Sequence, residues 1–102
     1  NHLEDLSLQN NQLQEFPKTL SNLKQLRFLD LSYNQLSRLS GSFNYPFLEK
    51  IDLTLNDLSL FPFVPATLPR IRFIGLAGNK IDVREKIRVE SIFVKSGAIV
   101  QW

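Results

Sequence analysis

One spacing, L-x-x-L-x-L-x-x-N-x-L with isoleucine allowed in place of leucine, occurs four times in the first 81 residues. The copies begin at Leu3, Leu26, Leu48 and Ile71, so they are 23, 22 and 23 residues apart, and none has lost its asparagine. A unit of this length buries its apolar side only against neighbouring copies of itself. The pattern therefore predicts a stack of repeats, not a domain built around one globular core.

Within each copy, the second and third leucines alternate with other residues as the side chains of a β-strand do. One strand per repeat predicts a parallel sheet with neighbouring strands about 4.8 Å apart. The asparagines follow these strands, where the chain turns inward and backbone polar groups become buried. Because a carboxamide both donates and accepts hydrogen bonds, we expect these side chains to link the backbones of adjacent repeats: Asn11, Asn34, Asn56 and Asn79.

The spacing resembles that of the leucine-rich-repeat family, in its class of 22 to 23 residues, over about residues 1–81. The resemblance implies an α/β fold, a right-handed solenoid with a parallel concave sheet and an irregular convex side. It also implies a module that binds another protein. We predict four repeats over residues 1–81, starting near residues 3, 26, 48 and 71, and a closing unit over residues 82–102.

The closing unit differs from the repeats. Asp82 and Glu85 have the spacing of a helix N-cap with a reciprocal glutamate, and Gly97 can end the helix. Side chains at helical spacing follow the cap: Val83, Ile87, Ser91 and Val94. The apolar run 98–102 then predicts a final strand at the sheet edge.

The competing interpretation of the closing unit is a β-hairpin. Its strands would be residues 87–94 and 98–102, with the turn at Ser96 and Gly97. The alternation of apolar residues breaks at residues 92–94, which favours the helix.

Residues that alternate with the leucines form rows across the concave face of the predicted sheet. The first row holds Asp5, Phe28, Lys50 and Phe73, the second Ser7, Asp30, Asp52 and Gly75, and the row at the strand exits Asn10, Tyr33, Leu55 and Gly78. Exposed aromatic and aliphatic groups with a few charges suit a protein partner. The predicted partner-binding residues are Asp5, Phe28, Asp30, Tyr33, Lys50, Asp52, Leu55 and Phe73.

Other interpretations of this face stay open. Asp30 lies in an ordinary version of the repeat, so its carboxylate could serve only to solvate the sheet. Phe28 and Phe73 could fold partly toward the flanking loop, and the convex side or the ends could be the binding surface instead.

Composition argues against catalysis and bound cofactors. The chain has no cysteine, one histidine (His2) and four scattered glycines, so it offers no thiolate ligand and no phosphate-binding loop. Asp30 and Asp52 could form a carboxylate pair, but an open sheet does not exclude water from them. We expect no catalytic, cofactor or metal site, and no enzyme.

The net charge of +2 is unevenly distributed. Residues 1–58 carry five basic and seven acidic side chains, whereas residues 59–102 carry seven basic and three acidic ones. The basic residues of the second part lie mostly on the predicted helix, mixed with acids, which is typical of a solvated face. We therefore expect no nucleic-acid partner. No apolar stretch is long enough for a membrane span, so no membrane partner is expected either.

Two alternatives to a binding module remain. The repeats could be a structural spacer or the targeting module of a larger multidomain protein. Because no polar cap precedes Leu3 and no methionine begins the chain, we expect a processed chain or a piece of a longer one, with self-association possible through the uncapped N-terminal end. The lack of cysteine caps favours an intracellular (cytoplasmic) or bacterial location.

Overall fold

The computed structural model describes residues 3–39 and 44–102. Over these residues the chain forms a parallel sheet of five short strands in the order in which they occur along the chain, and one α-helix. The elements are β1 (Asp5–Ser7), β2 (Phe28–Asp30), β3 (Lys50–Asp52), β4 (Phe73–Gly75), α1 (Val83–Phe93) and β5 (Ile99–Gln101). The predicted α/β fold, with a parallel sheet of one strand per repeat and a closing helix and strand, is confirmed.

The sheet register places equivalent repeat positions side by side. Leu6 pairs with Leu29, Leu29 with Ile51, and Ile51 with Ile74. In the second and third repeats these side chains are at most 1% exposed, because they point into the interior behind the sheet. The first repeat is more open, with Leu3 at 38% exposure and Leu6 only half-buried.

The convex side is irregular, as predicted, and contains short 3₁₀ turns at Lys18–Asn22 and Pro65–Thr67. Aromatic side chains fill the interior behind these turns. The ring of Phe61 lies 5.5 Å from that of Phe63 and 5.9 Å from that of Phe93, in tilted arrangements that favour ring edges against ring faces. This cluster joins the third repeat to α1.

Asn34, Asn56 and Asn79 link adjacent repeats as the sequence predicts. The prediction is wrong for Asn11, which is exposed and whose Nδ2 donates to the carbonyl of Gln9 in its own repeat, because no described repeat precedes it. The Nδ2 of Asn34 donates to the carbonyl of Leu8 in the preceding repeat at 3.0 Å and to that of Leu31 in its own repeat at 2.9 Å. Asn56 repeats this arrangement, donating to the carbonyls of Leu31 and Leu53. Each of these amides therefore bridges two successive turns of the solenoid through otherwise unpaired backbone groups.

The helix prediction for the closing unit is confirmed, and the hairpin is wrong. The Oδ1 of Asp82 accepts a hydrogen bond from the backbone N–H of Glu85 at 2.9 Å, which caps the first turn of α1. Gly97 follows with φ of +74°, a left-handed conformation that glycine adopts without strain. The chain then turns back into β5, which extends the sheet beside β4.

Glu85 does not return the hydrogen bond to Asp82, so the reciprocal half of the predicted cap is wrong. Its side chain turns inward, where Oε2 accepts from the backbone N–H of Phe61 at 2.9 Å. Arg88 donates to the carbonyl of Phe61 at 2.8 Å and to both carboxylate oxygens of Glu85. The pair thus satisfies both backbone groups of Phe61, and this buried use of Glu85 outweighs a capping contact in solvent.

The side of α1 that packs is also not the one at the predicted helical spacing. Val89 and Phe93 are at most 1% exposed, together with buried Glu85, whereas Val83, Ile87 and Val94 are 67%, 61% and 71% exposed. The side of α1 that carries Glu85, Val89 and Phe93 faces the core, so these aliphatic side chains face solvent. At eleven residues α1 is too short to cross a bilayer, and no other helix in the described part of the chain could do so.

Candidate binding face

The first row of the concave face follows the sheet register. Asp5 lies beside Phe28, Phe28 beside Lys50, and Lys50 beside Phe73. The Nζ of Lys50 stands 5.1 Å from the centroid of the Phe73 ring, and Phe73 is half-buried. Phe28 is 37% exposed. Of the two phenylalanines, Phe28 is therefore the more accessible to another molecule.

Ile99 extends this row, and the sequence argument did not identify it. It pairs with Phe73 in the register of β4 and β5 and is 66% exposed. The last strand lacks the leucine spacing of the repeats, so the repeat pattern does not place its residues in rows. Its alternation alone, with Ile99 and Val100 as neighbours, could not say which side faces outward.

The second row contains two carboxylates that serve the fold. The Oδ1 of Asp30 accepts from the backbone N–H of Ser32 at 3.0 Å and from its hydroxyl at 2.6 Å. The Oδ1 of Asp52 accepts from the backbone N–H of Thr54 at 3.0 Å. Both aspartates are half-buried. One oxygen of each carboxylate therefore holds the strand exit by a local side chain to backbone bond.

The row at the strand exits has an unusual backbone conformation. Asn10, Tyr33, Leu55 and Gly78 all have positive φ, at 61°, 58°, 58° and 72°. A left-handed conformation is ordinary for glycine and common for asparagine, but it costs about 1–2 kcal/mol for other residues. Asn10 and Gly78, which adopt positive φ readily, occupy the equivalent positions of the first and fourth repeats. Their presence there was a sequence signal for the left-handed conformation of the whole row.

Inter-repeat hydrogen bonds hold Tyr33 and Leu55 in this conformation. The backbone N–H of Tyr33 donates to the carbonyl of Thr54 at 2.9 Å, and that of Leu55 to the carbonyl of Ala77 at 2.8 Å. Tyr33 remains 58% exposed and Leu55 43% exposed. We call these two residues the exit pair. They are large apolar groups presented to solvent on a backbone that the repeat stack fixes.

A shallow depression of about 390 Å³ lies next to the exposed side of Phe28, toward the first repeat. Its lining combines the apolar ring with charged side chains: Asp5, Leu6, Ser7, Phe28, Leu29, Asp30 and Lys50. The depression brings together four of the eight residues chosen from the sequence, Asp5, Phe28, Asp30 and Lys50. A fifth, Phe73, adjoins them through the ammonium group of Lys50.

Charged residues along the edge of this face are paired with one another. The Nε of Arg27 lies 2.8 Å from Oε2 of Glu49, and its Nη1 lies 3.5 Å from Oε1 of Glu4. The hydrogen bond that Arg27 donates to Glu49 raises the pKa of Arg27. The Arg27 guanidinium also stands 5.2 Å from the centroid of the Phe28 ring, so it fixes one side of that ring.

Among residues 3–39 and 44–102, no group of three or more histidine, aspartate or glutamate side chains is arranged to hold a metal ion. His2 lies outside the described residues.

Comparison with known proteins supports the interpretation of the fold. The family model for leucine-rich repeats (2 copies) matches residues 1–44. A solved structure of a leucine-rich-repeat protein from Leptospira interrogans superposes on 98% of this chain with a TM-score of 0.84 and 26% sequence identity. The chain spans 25% of that protein's length. No curated protein matches the chain.

Proposed function

We propose that this chain, a leucine-rich-repeat solenoid, binds a protein partner through its concave face, with the exit pair and Phe28 at the centre of the contact. Leucine-rich-repeat domains generally mediate protein–protein interaction. The single observation that carries the proposal is the exit pair: Tyr33 and Leu55 are exposed although their backbone conformation is unfavourable for such side chains. Strain of this kind persists where the surrounding structure enforces it, and it concentrates at functional positions.

The exit pair has the chemistry of a binding centre. Tyrosine is enriched among residues that contribute most to interface affinity, because its ring buries a large area with few rotatable bonds and its hydroxyl can still be hydrogen-bonded. The rigid backbone beneath it reduces the conformational entropy that binding would remove. A partner would thus meet one preformed aromatic surface at Tyr33 and another at Phe28.

The charged members of the face would orient the partner more than they hold it. Asp30 and Asp52 each have one oxygen occupied by their own strand exit, and Lys50 is stacked on Phe73. Asp5, at the edge of the depression, is exposed. Charges on such a rim set the register and rate of association and contribute less to affinity than the apolar centre.

Selection of binding peptides tests the proposal. Peptides from a phage-displayed library would be selected on the folded chain and their affinities measured for Phe28→Ala/Phe73→Ala, with Leu60→Asn as the matched control. Leu60 is 61% exposed and lies outside the concave rows, in the third repeat after Leu58. We expect the double variant to lose binding at least about tenfold while remaining folded. Equal peptide affinity of the original chain, the double variant and Leu60→Asn would overturn the proposal.

A further inference from the structure

The solvent side of α1 carries a stripe of aliphatic side chains that the concave-face proposal does not use. Val83 and Ile87 lie in α1 at positions i and i+4, and Val94, the C-cap residue with helical φ and ψ, follows at i+11 on the same side. They are 67%, 61% and 71% exposed. We call these three residues the α1 stripe. Because Val89 and Phe93 already anchor the opposite side, the stripe plays no part in packing the chain's own core.

Basic residues flank one side of the α1 stripe. Arg84 and Lys95 are exposed, and neither has an ion-pair partner among the described residues. By helical spacing both lie on the same flank, about a quarter turn from the stripe. Arg88, on that flank as well, is held by Glu85 and the Phe61 carbonyl.

The opposite flank of the stripe holds a carboxylate. Glu90 is exposed and accepts a hydrogen bond from the indole N–H of Trp102. Lys86 lies on this flank too, half-buried, with its Nζ 5.7 Å from the centroid of the Trp102 ring. The stripe is therefore bordered by unpaired bases on one flank, and by a hydrogen-bonded acid and a stacked lysine on the other. This asymmetry agrees with the excess of four positive charges over residues 59–102, where seven basic side chains face three acidic ones.

We infer that the α1 stripe binds an acidic amphipathic helix of a partner protein. A partner helix laid along α1 meets a row about 16 Å long, since eleven residues rise about 1.5 Å each. Its aliphatic side chains would pack between Val83, Ile87 and Val94 as those of neighbouring helices do. Its carboxylates would meet Arg84 and Lys95, as charged positions flanking an apolar seam select partner helices.

Two other occupants fit the charges less well. Antiparallel pairing of two copies through this stripe would bring Arg84 of one copy toward Lys95 of the other, which is repulsive. Helices that lie on membranes use tryptophan, phenylalanine and leucine on the apolar side and bases on the polar side. Here the apolar side is valine and isoleucine, and the Glu90 carboxylate would face anionic headgroups.

Fluorescence anisotropy with designed helices tests the inference. One labelled 21-residue peptide has leucine at its a and d positions and glutamate at its e and g positions, and its matched control has lysine at e and g. We expect the glutamate peptide to bind at least about tenfold more tightly than the lysine peptide, and the preference to shrink as salt is raised. Weak or equal binding of the two peptides would overturn the inference.

Variants of the chain locate the binding. Two variants should each bind the glutamate peptide at least about tenfold more weakly than the original chain: Arg84→Glu/Lys95→Glu and Val83→Ser/Ile87→Ser/Val94→Ser. Lys18→Glu/Arg38→Glu, the matched charge reversal away from α1, should leave it unchanged, as should Tyr33→Asn/Leu55→Asn on the concave face. Because the stripe is exposed, circular dichroism should show both α1 variants folded. Unchanged binding by these folded variants would contradict the proposed surface.

The remaining outcomes decide between occupants. The chain should not co-sediment through the α1 stripe with vesicles of phosphatidylcholine that contain 30% phosphatidylserine. The chain alone should stay monomeric in analytical ultracentrifugation at micromolar concentration, as should its stripe variants. Vesicle binding or dimer formation that the serine variant abolishes would replace the partner helix with a membrane or a second copy, and the inference would be wrong.

Discussion

The side chain of Leu55 lies directly over the Cα of Gly78 in the next repeat. A Cβ added to Gly78 would be 2.5 Å from Cδ2 of Leu55 and 3.0 Å from its Cγ. Gly78 also has φ of +72°. The absence of a side chain at this position therefore serves two purposes, since it relieves the left-handed backbone and leaves room for an exposed residue of the proposed binding face.

Gly78→Ala should destabilise the chain more than Gly97→Ala. Both glycines have positive φ, but nothing lies within 4 Å of a Cβ built on Gly97. Gly97→Ala should thus cost about 1–2 kcal/mol for the left-handed backbone alone, and Gly78→Ala about 1 kcal/mol more for displacing Leu55 from its rotamer. Urea unfolding measures both losses of stability. The excess loss of Gly78→Ala over Gly97→Ala should disappear when Leu55 is also replaced by alanine. An excess that persists there would show that Leu55 is not its source.

Asn56→Asp should be strongly destabilising because it removes the donor that bridges two repeats. The Nδ2 of Asn56 donates to the carbonyls of Leu31 and Leu53 at 3.0 Å each, in a site only 5% exposed. A carboxylate there would face two carbonyl oxygens, and we expect a loss of about 3 kcal/mol in the free energy of unfolding.

Asn11→Asp is the matched control for this change. Asn11 is exposed and donates to the carbonyl of Gln9, so its loss should be below about 1 kcal/mol. Similar losses at positions 11 and 56 would argue against the bridging role.

The docking of α1 should weaken in acid. The hydrogen bond from Arg88 lowers the pKa of Glu85. Burial opposes this shift, and the hydrogen bond from the backbone N–H of Phe61 lowers the pKa further, so the net direction is downward. A carboxyl whose pKa is lower in the folded state binds more protons when unfolded. Its stabilising contribution is therefore fully present above the unfolded pKa, about 4.3, and is lost as the pH falls through the folded value.

Glu85→Gln isolates this contribution from those of the other acids. The difference in unfolding free energy between the original chain and Glu85→Gln, measured in urea from pH 7 to pH 3, should be largest at pH 7 and shrink below about pH 4.3. A difference that stays constant over this range would mean that Glu85 titrates alike in the folded and unfolded states.

Asp30 should tolerate asparagine better than alanine if its role is the strand-exit contact. The Oδ1 of Asp30 accepts from both the N–H and the hydroxyl of Ser32, and an asparagine oxygen can accept both bonds. We expect Asp30→Asn to change the free energy of unfolding by less than about 0.5 kcal/mol and Asp30→Ala to reduce it by about 1 kcal/mol. Urea titration compares them, and equal losses would show that the charge, not the acceptor, matters.

The repeat spacing alone predicts the strands, their register and the asparagine links, because all three follow from stacking identical units. The solvent side of α1 could not be predicted in the same way. Val83 and Ile87 have the spacing of a packed side, but Val89 and Phe93 pack instead, on the side where Glu85 contacts Phe61, 24 positions away in the sequence. Spacing within one segment carries no information about such a long-range polar contact.

On the candidate face, the sequence predicts which residues are neighbours but not what they do there. Asp30 and Phe28 follow from the register, whereas the hydrogen bond of Asp30 to Ser32 and the stacking of Lys50 on Phe73 depend on rotamers. The left-handed backbone at Tyr33 depends on comparing it with Asn10 and Gly78 across repeats.

The most direct test of the proposed binding face is the stability and peptide affinity of Tyr33→Asn/Leu55→Asn, measured side by side. Asparagine accepts the left-handed conformation readily, so the double variant should be as stable as the original chain or up to about 2 kcal/mol more stable. We predict that it nevertheless binds the library-selected peptides at least about tenfold more weakly, whereas Leu60→Asn binds them normally. Full peptide affinity in the folded double variant would contradict the concave face as the binding surface.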